Sequence, residues 1–530
     1  MMGVLDYIWL GILAVFQGPV MFSVFGLPVS VTLVMILCGF LLGIAVGATP
    51  GLAGPMAMAI SLPILISVFG YSETALLPVL GFLIGIMKGA TIGGAVPAIL
   101  FNTPGTPDSY MTTFDGYPMA KKGQAKKALR IAHFASVSGD TFSDVVLIVC
   151  APFLAILVEA YLDLPEKTAL LILSLSFIAV VIGGSPAKGL LSAGLGLLAV
   201  YVGTGEDFYP RLSMGSQHLA QGFSITTAVL GVLIIGAVFK SLEDLWHEKR
   251  AKGVIAEIKD IGDQRLHKED IRRLVPYIAR SAVIGTVIGA LPGIGSTLAA
   301  TLGYTVGRAR YQKMKLPTDP EFGAGAPEGI AATEAANSSV SGANLIPVLS
   351  LGIPGNAAAV FLILAADSIG GFNPGPSVFR FTADAVNPEL VIAFGLFTAM
   401  FIANALNWTI GGVFMRSMGV MIRIPKHILL PIVLLLTLTA IYVQETRLEA
   451  IGFTLAFGLL GYFMRLLAIS PLPFVIAFIL GGKLEESARQ AFAATGGDPF
   501  FLFTSPVALV FMLMALGIIL YSARKHRGTE

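Results

Sequence analysis

The sequence predicts an all-α polytopic membrane protein, built as two inverted repeats with helices broken at Pro-Gly, re-entrant hairpins and about 10–12 membrane spans. Three observations carry this prediction. The 530 residues are 55% hydrophobic and only 12% charged, against roughly 25% charged in soluble domains. Apolar runs of crossing length recur at 26–47, 51–70, 143–162, 167–183, 186–203, 222–240, 387–413, 427–443, 447–465 and 500–521. Two Pro-Gly motifs also occur twice. GIAVGATPGLAGPMA from Gly43 returns 242 residues later as GTVIGALPGIGSTLA from Gly285, and PAILFNTPGT from Pro97 returns 250 residues later as PVLSLGIPGN from Pro347.

Taken in order, residues 1–25 form an N-terminal apolar segment. The first lysine or arginine is Lys88, so the positive region of a cleaved signal peptide is missing and the segment is expected to be retained. Residues 26–241 form the first transmembrane repeat. The region 74–106 is apolar but studded with Gly, Pro and Thr, as is 326–365 in the second repeat; such backbone survives at membrane depth only inside protein or beside water. Residues 242–273 mix Lys249, Arg250, Lys252, Lys259, Arg265, Arg272 and Arg273 with acids and read as a cytoplasmic linker. Residues 274–521 form the second repeat, in which the apolar stretch 471–482 adds a crossing, and 522–530 form a basic tail. Cys38 and Cys150 lie in apolar runs and suggest neither a disulfide nor a metal cluster. A net charge of +2 gives no warrant for nucleic-acid binding.

Inversion follows from the loop charges. Lys121, Lys122, Lys126, Lys127 and Arg130 follow the second motif of the first half, whereas Gly370 to Glu389 holds Arg380 alone. After the first motif the bias swaps: Ser67 to Ala75 has no basic residue, and its counterpart holds Arg308, Arg310, Lys313 and Lys315. Parallel repeats would place matching loops on one side; these alternate.

A helix broken by Pro-Gly leaves backbone groups unpaired and presents the positive end of the next helix, which suits an anion. This marks Thr49, Pro50 and Gly51, with Leu291, Pro292 and Gly293, as substrate-binding candidates. The second motif adds amides and hydroxyls, giving Asn102, Thr103, Pro104, Gly105 and Thr106, with Gly352, Ile353, Pro354, Gly355 and Asn356. A tight turn or simple helix capping is the competing reading at each position. Glu334, Asn337 and Ser338 fall on one helical face in an apolar segment and are candidates for holding a coupling cation. Glu328 reads as a first-turn acid. Lys88 either answers a substrate's negative charge or snorkels to an interface. The basic residues from Gln124 to Phe134 read as a short interfacial helix with a solvated cytoplasmic face. Leu480 to Arg489 reads as a charged helix end. No Ser-His-Asp, Walker or zinc pattern sits in a convincing context, so catalysis has no support here.

GATPGLAGP at Gly47, the block from Ile99 to Leu129, the block from Pro327 to Ala359, and LGGKLEESARQAF at Leu480 together resemble the TctA family, the large membrane subunit of the tripartite tricarboxylate transporters. The resemblance covers essentially the whole chain. It implies a multi-pass secondary transporter of the bacterial inner membrane that takes up di- or tricarboxylates on a sodium or proton gradient, with no other cofactor. It also implies a small four-helix TctB-like membrane subunit and a periplasmic TctC-like solute-binding protein. The chain departs from the family pattern before Gly93-Gly94, at Gly482 and at Ser338, so substrate and ion preference are not carried over. The alternative class is a passive anion channel, which should show a continuous polar stripe that the helices lack, or a docking subunit, which would not need matched Pro-Gly tips.

Overall fold

The computed structural model describes residues 3–24, 26–49, 52–182, 185–204, 209–247, 263–292, 295–314, 319–381, 385–417 and 426–527. The described chain is helical apart from two short antiparallel pairs, Val20–Val24 with Leu27–Ser30 and Gly203–Thr204 with Pro210–Arg211. Among the described residues, 7 helices are long and apolar enough to cross a membrane, and shorter apolar helices accompany them. The protein is therefore an all-α, multi-pass membrane protein. The chain divides into two compact units, and each draws on both halves of the sequence.

The first unit comprises residues 1–154, 249–291 and 295–426. Its helices are α1 (Val4–Phe16), α2 (Val31–Gly47), α3 (Gly54–Phe69), α4 (Glu73–Gly93), α5 (Ala95–Phe101), α6 (Thr112–Met119) and α7 (Ala125–Tyr161, which runs on past this unit). They continue with α8 (Lys268–Gly289), α9 (Ser296–Met314), α10 (Pro327–Ala343), α11 (Leu345–Leu351), α12 (Ala357–Ile369) and α13 (Pro388–Leu406). Two helices form the centre. Almost every residue of α4 is buried, and so is every residue of α10 from Glu328 to Ala343.

Small residues allow this. Gly39, Gly43 and Gly47 of α2 recur every four residues and lie against the backbone of Phe82, Ile86 and Ala90, while Gly85, Gly89 and Gly93 of α4 lie against Ile36, Phe40 and Ile44. A side chain at any of these would collide with backbone, so α2 and α4 touch along their whole length, as small-xxx-small helices do in membranes. The second half repeats the device with Gly285 and Gly289 of α8 against Ala336, Val340 and Ala343 of α10.

The sequence repeat is also a structural one. The chain kinks at Gly94 between α4 and α5 and, 250 residues on, at Asn344 between α10 and α11; α5 ends at left-handed Asn102 (φ 54°) and α11 at left-handed Gly352 (φ 71°). The segment expected to be a short interfacial helix from Gln124 to Phe134 is instead mostly the start of α7. A π turn at Ala120–Gln124, with Gly123 at φ 81°, joins it to α6. Its lysines are not all simply solvated: Lys122 donates to the Ala324 carbonyl (2.8 Å), Lys127 pairs with Asp270 (3.0 Å) and Arg130 donates to the Gln264 carbonyl (2.9 Å). Of the expected linker, 242–247 close the helix Gly236–His247, 268–273 open α8, and 248–262 lie outside the described residues.

The second unit, residues 155–248, 292–294 and 427–530, contains Leu164–Ile182, Pro186–Val200, Gly236–His247, Leu448–Leu466, Leu472–Ala494 and Pro506–Arg527. A π turn at Gly231–Ile235 frees main-chain carbonyls, and Arg465 donates to those of Val232 and Leu233 (both 2.8 Å). An otherwise costly half-buried guanidinium thereby gains acceptors. The stretch expected to add a crossing lies in the 23-residue helix Leu472–Ala494.

Candidate functional site

The first motif ends α2 and α8 at equivalent places. Thr49 is buried, but its hydroxyl donates to the Ala45 carbonyl one turn earlier (2.9 Å) and serves its own helix end. Leu291 is exposed and its N–H donates to the Ile288 carbonyl (3.1 Å); Pro292 follows, half-buried. Pro50, Gly51 and Gly293 lie outside the described residues.

The second motif folds alike in both halves. Thr103 N–H donates to the Pro97 carbonyl and Ile353 N–H to the Pro347 carbonyl, each at 3.2 Å, so both tips close on the same turn of the preceding helix. The tips then differ. Asn102 and Thr103 are exposed, Pro104 is half-buried, and Gly105 N–H donates back to the Gly94 carbonyl at the kink (3.2 Å). Thr106 opens the 3-10 turn Pro107–Ser109, its N–H donating to Ser109 Oγ (3.3 Å). In the second tip Gly352, Ile353, Pro354 and Gly355 are buried, and Asn356 caps α12, its Oδ1 accepting from Ala359 N–H (2.9 Å). Capping thus accounts for Asn356 and Thr106.

Contacts cross between the halves. Thr297, in the first turn of α9, donates to Asp108 Oδ1 just beyond the first tip (2.7 Å). Correspondingly α3 packs on α12, which leaves the second tip. Each helix that restarts after a Pro-Gly break therefore lies beside the segment leaving the other half's tip.

The second tip adjoins the most unusual chemistry. Thr333 Oγ1, both amide atoms of Asn337, Ser338 Oγ and both amide atoms of Asn344 are buried with no hydrogen-bond partner among the described residues. Buried polar groups are nearly always paired, and each unpaired one costs about 1–3 kcal/mol. Thr333, Asn337 and Asn344 follow one stripe of the α10 helical path, at steps of four and seven residues. At the stripe's end Gly355 faces the Asn344 side chain so closely that an added methyl would press on Oδ1. Glu334 is engaged differently: its carboxylate accepts from Thr112 and, at 2.9 Å, from Ser136.

Lys88 does neither thing expected of it. It is buried within the unit, its Nζ donating to Asp140 Oδ1 (2.8 Å), Asp144 Oδ2 (2.7 Å) and, at 3.3 Å, the Asn404 side-chain Oδ1. Asn404 Nδ2 also donates to Asp144 Oδ2 (2.7 Å). The rule that flagged Glu334, an ionisable group in an apolar segment, applies equally to Asp140 and Asp144, which stand one helical turn apart.

Asp115 lies in the stretch that leads into the basic segment. In the structure its Oδ1 accepts from the N–H groups of Gly323 (2.8 Å), Gly325 (2.9 Å) and Ala326 (2.8 Å), and its Oδ2 from the Tyr304 hydroxyl (3.0 Å). It ties α6 to the N-terminus of α10, where the positive end of the helix favours a carboxylate. Glu328 does occupy the first turn of α10 and pairs with Arg273, which also holds Asp319 (2.7 Å). Burial works against the Arg273 charge, but the two carboxylates outweigh it and its pKa is raised. Arg273 and Asp319 line a cavity of about 350 Å³ with Lys122, Gln124 and Asp270.

The arrangement offers amides, hydroxyls and helix ends to something small with oxygen atoms or a bare charge. Residues 33–476 match the model of the tripartite tricarboxylate transporter TctA family. A protein of Agrobacterium vitis, described as an uncharacterized 52.8 kDa protein in the TAR-I ttuC' 3' region, is 32% identical over 495 residues, 92% of each chain. A second from that organism, an uncharacterized protein in the TAR-II ttuC' 3' region, is 30% identical over 239 residues, covering 44% of this chain and 91% of its own. No solved structure matches.

Proposed function

Because the chain belongs to the TctA family of tripartite tricarboxylate transporters, we propose that it imports a small di- or tricarboxylate across the bacterial inner membrane by symport with a cation, Na⁺ or H⁺. A periplasmic TctC-like protein delivers the substrate, and a small TctB-like subunit accompanies the chain in the bilayer. The observation that carries the reading is the unpaired set Thr333, Asn337, Ser338 and Asn344 beside the second tip. Amide N–H₂ and hydroxyl groups donate to carboxylate oxygens, while amide oxygens and hydroxyls serve a desolvated cation, so one cluster suits a carboxylate and its counter-ion together. Inversion of the repeats would bring the tips 102–106 and 352–356 to opposite ends of one substrate, with the restarted helices adding their positive ends.

The test is uptake of radiolabelled citrate, succinate and malate into proteoliposomes holding this chain with its small subunit and binding protein, with and without an inward sodium or proton gradient. Accumulation above equilibrium is expected under one of the gradients. Replacing Asn337 or Asn344 by Leu should raise the half-saturating concentration about tenfold or more, since a hydrogen bond to a charged group contributes about 1.5–3 kcal/mol. Transport that only equilibrates under every gradient refutes symport in favour of a channel.

A further inference from the structure

We propose that the buried cluster of Lys88, Asp140, Asp144 and Asn404 is a proton-binding site, with Asp144 as the group that takes up and releases the proton; this rests on the reading of the chain as a cation-coupled transporter. The side chains of Lys88, Asp140 and Asp144 are 0%, 4% and 1% exposed. One ammonium faces two carboxylates, so the fully ionised cluster carries one excess negative charge. An uncompensated charge away from water costs several kcal/mol, and a single added positive charge removes it.

Geometry selects where that charge goes. Asp140 Oδ1 and Asp144 Oδ2 are both taken by Lys88, and Asp144 Oδ2 also accepts from Asn404. Asp144 Oδ1 is buried with no partner among the described residues. The groups facing Asp144 are Lys88 from α4, Asp140 from its own helix, the Asn404 amide from α13 and, from α10, Gly342, which has no side chain to offer.

Geometry also selects the ion. Asp144 Oδ1 lies so close to the Gly342 backbone that even a methyl there would overlap it. The adjacent Ser143 hydroxyl donates to the Asp140 carbonyl (2.9 Å). A sodium ion needs a shell of oxygen ligands and would stand beside the Lys88 ammonium; a proton needs one lone pair. Protonation converts the Asp144 carboxylate to a carboxylic acid, leaves Lys88 paired with Asp140 alone, and loosens the hold of α4 on α7. Since α4 and α10 lead into the two tips, this changes the support of both tips.

Proton binding is measurable without a substrate. Infrared difference spectra of the purified full chain, recorded across a pH titration in detergent, should show a carboxylic-acid C=O band that appears reversibly as the pH is lowered. The band should vanish in Asp144→Asn. In Asp140→Asn, where one carboxylate balances one ammonium, it should appear only at lower pH than in the wild type. In proteoliposomes with both partners, Asp144→Asn should lose citrate accumulation driven by a pH gradient. No band in the wild type, a band that survives Asp144→Asn, or pH-driven accumulation that Asp144→Asn leaves unchanged overturns the assignment. A wild-type chain that shows the band yet accumulates none of the tested carboxylates under any gradient overturns the transport reading instead.

Discussion

Replacing Asp115 by alanine removes an acceptor shared by three main-chain donors, and the cost can be worked from the structure. The N–H groups of Gly325 and Ala326 are buried and would be left unpaired, whereas that of Gly323 is only partly buried and can turn to water. At about 2 kcal/mol for each buried orphan, the two contribute about 4 kcal/mol. The Tyr304 hydroxyl adds about 1 kcal/mol, and relief from burying a carboxylate returns an amount of similar size. The net loss is about 4 kcal/mol, close to a thousandfold in the folding equilibrium. Asp115→Asn keeps an oxygen for the N–H groups and places an N–H₂ toward a Tyr304 hydroxyl that can rotate to accept, so it should cost about 1 kcal/mol. Unfolding of purified protein by SDS in mixed micelles, followed by intrinsic fluorescence, gives both values. An Asp115→Ala midpoint equal to the wild type, or an Asp115→Asn loss as large as that of Asp115→Ala, would refute the accounting.

Other perturbations separate packing from function. Lys88→Met orphans two buried aspartates and should cost about 3–5 kcal/mol, with most of the loss recovered when Asp140→Asn and Asp144→Asn are added, as the same micelle titration would show. Gly89→Leu drives a side chain into the backbone of α2; the chain should fail to yield a monodisperse peak on size-exclusion chromatography, while Gly517→Leu, whose surroundings are open, should elute normally. Asn337→Leu removes an unpaired buried amide, so it should leave thermal stability in detergent unchanged or raised while uptake falls. A loss of stability there would mean that the amide is a structural group.

The repeat spacing was legible because it has a local cause. A tip that must close a helix needs a left-handed residue and a carbonyl six residues back, and Asn102 and Gly352 supply this at a separation the sequence displays directly. The tight contact of α2 with α4 was equally visible, as glycine every fourth residue from Gly39 and from Gly81, but those glycines read as breaks when Pro-Gly is the signal sought. Asp115 was not legible. Its partners lie 189 to 211 residues away, and its neighbours suggest only a turn. Lys88 and its aspartates fell between: the rule for ionisable groups flags each one singly, and only the fold brings Lys88 to Asp140 and Asp144, 52 and 56 residues further on.

Why the unpaired groups gather on α10 follows from the two central helices being unequal copies. Position 88 of α4 is a lysine whose charge two aspartates absorb, and its counterpart 250 residues later is Ser338, whose hydroxyl has no hydrogen-bond partner among the described residues. The kink residue of the first half is glycine, whose carbonyl is taken by Gly105 N–H, and its counterpart is Asn344, whose side-chain amide has no partner among the described residues. In the first half the helix is closed with internal charge and backbone bonds; in the second the same places hold neutral polar groups with nothing to bond. A helix under stability constraints alone would fill them with apolar residues of similar size, a change that is neutral or stabilising. Their presence on the copy that ends in the buried tip is what a binding role for that copy requires, while the charged copy carries the proton site.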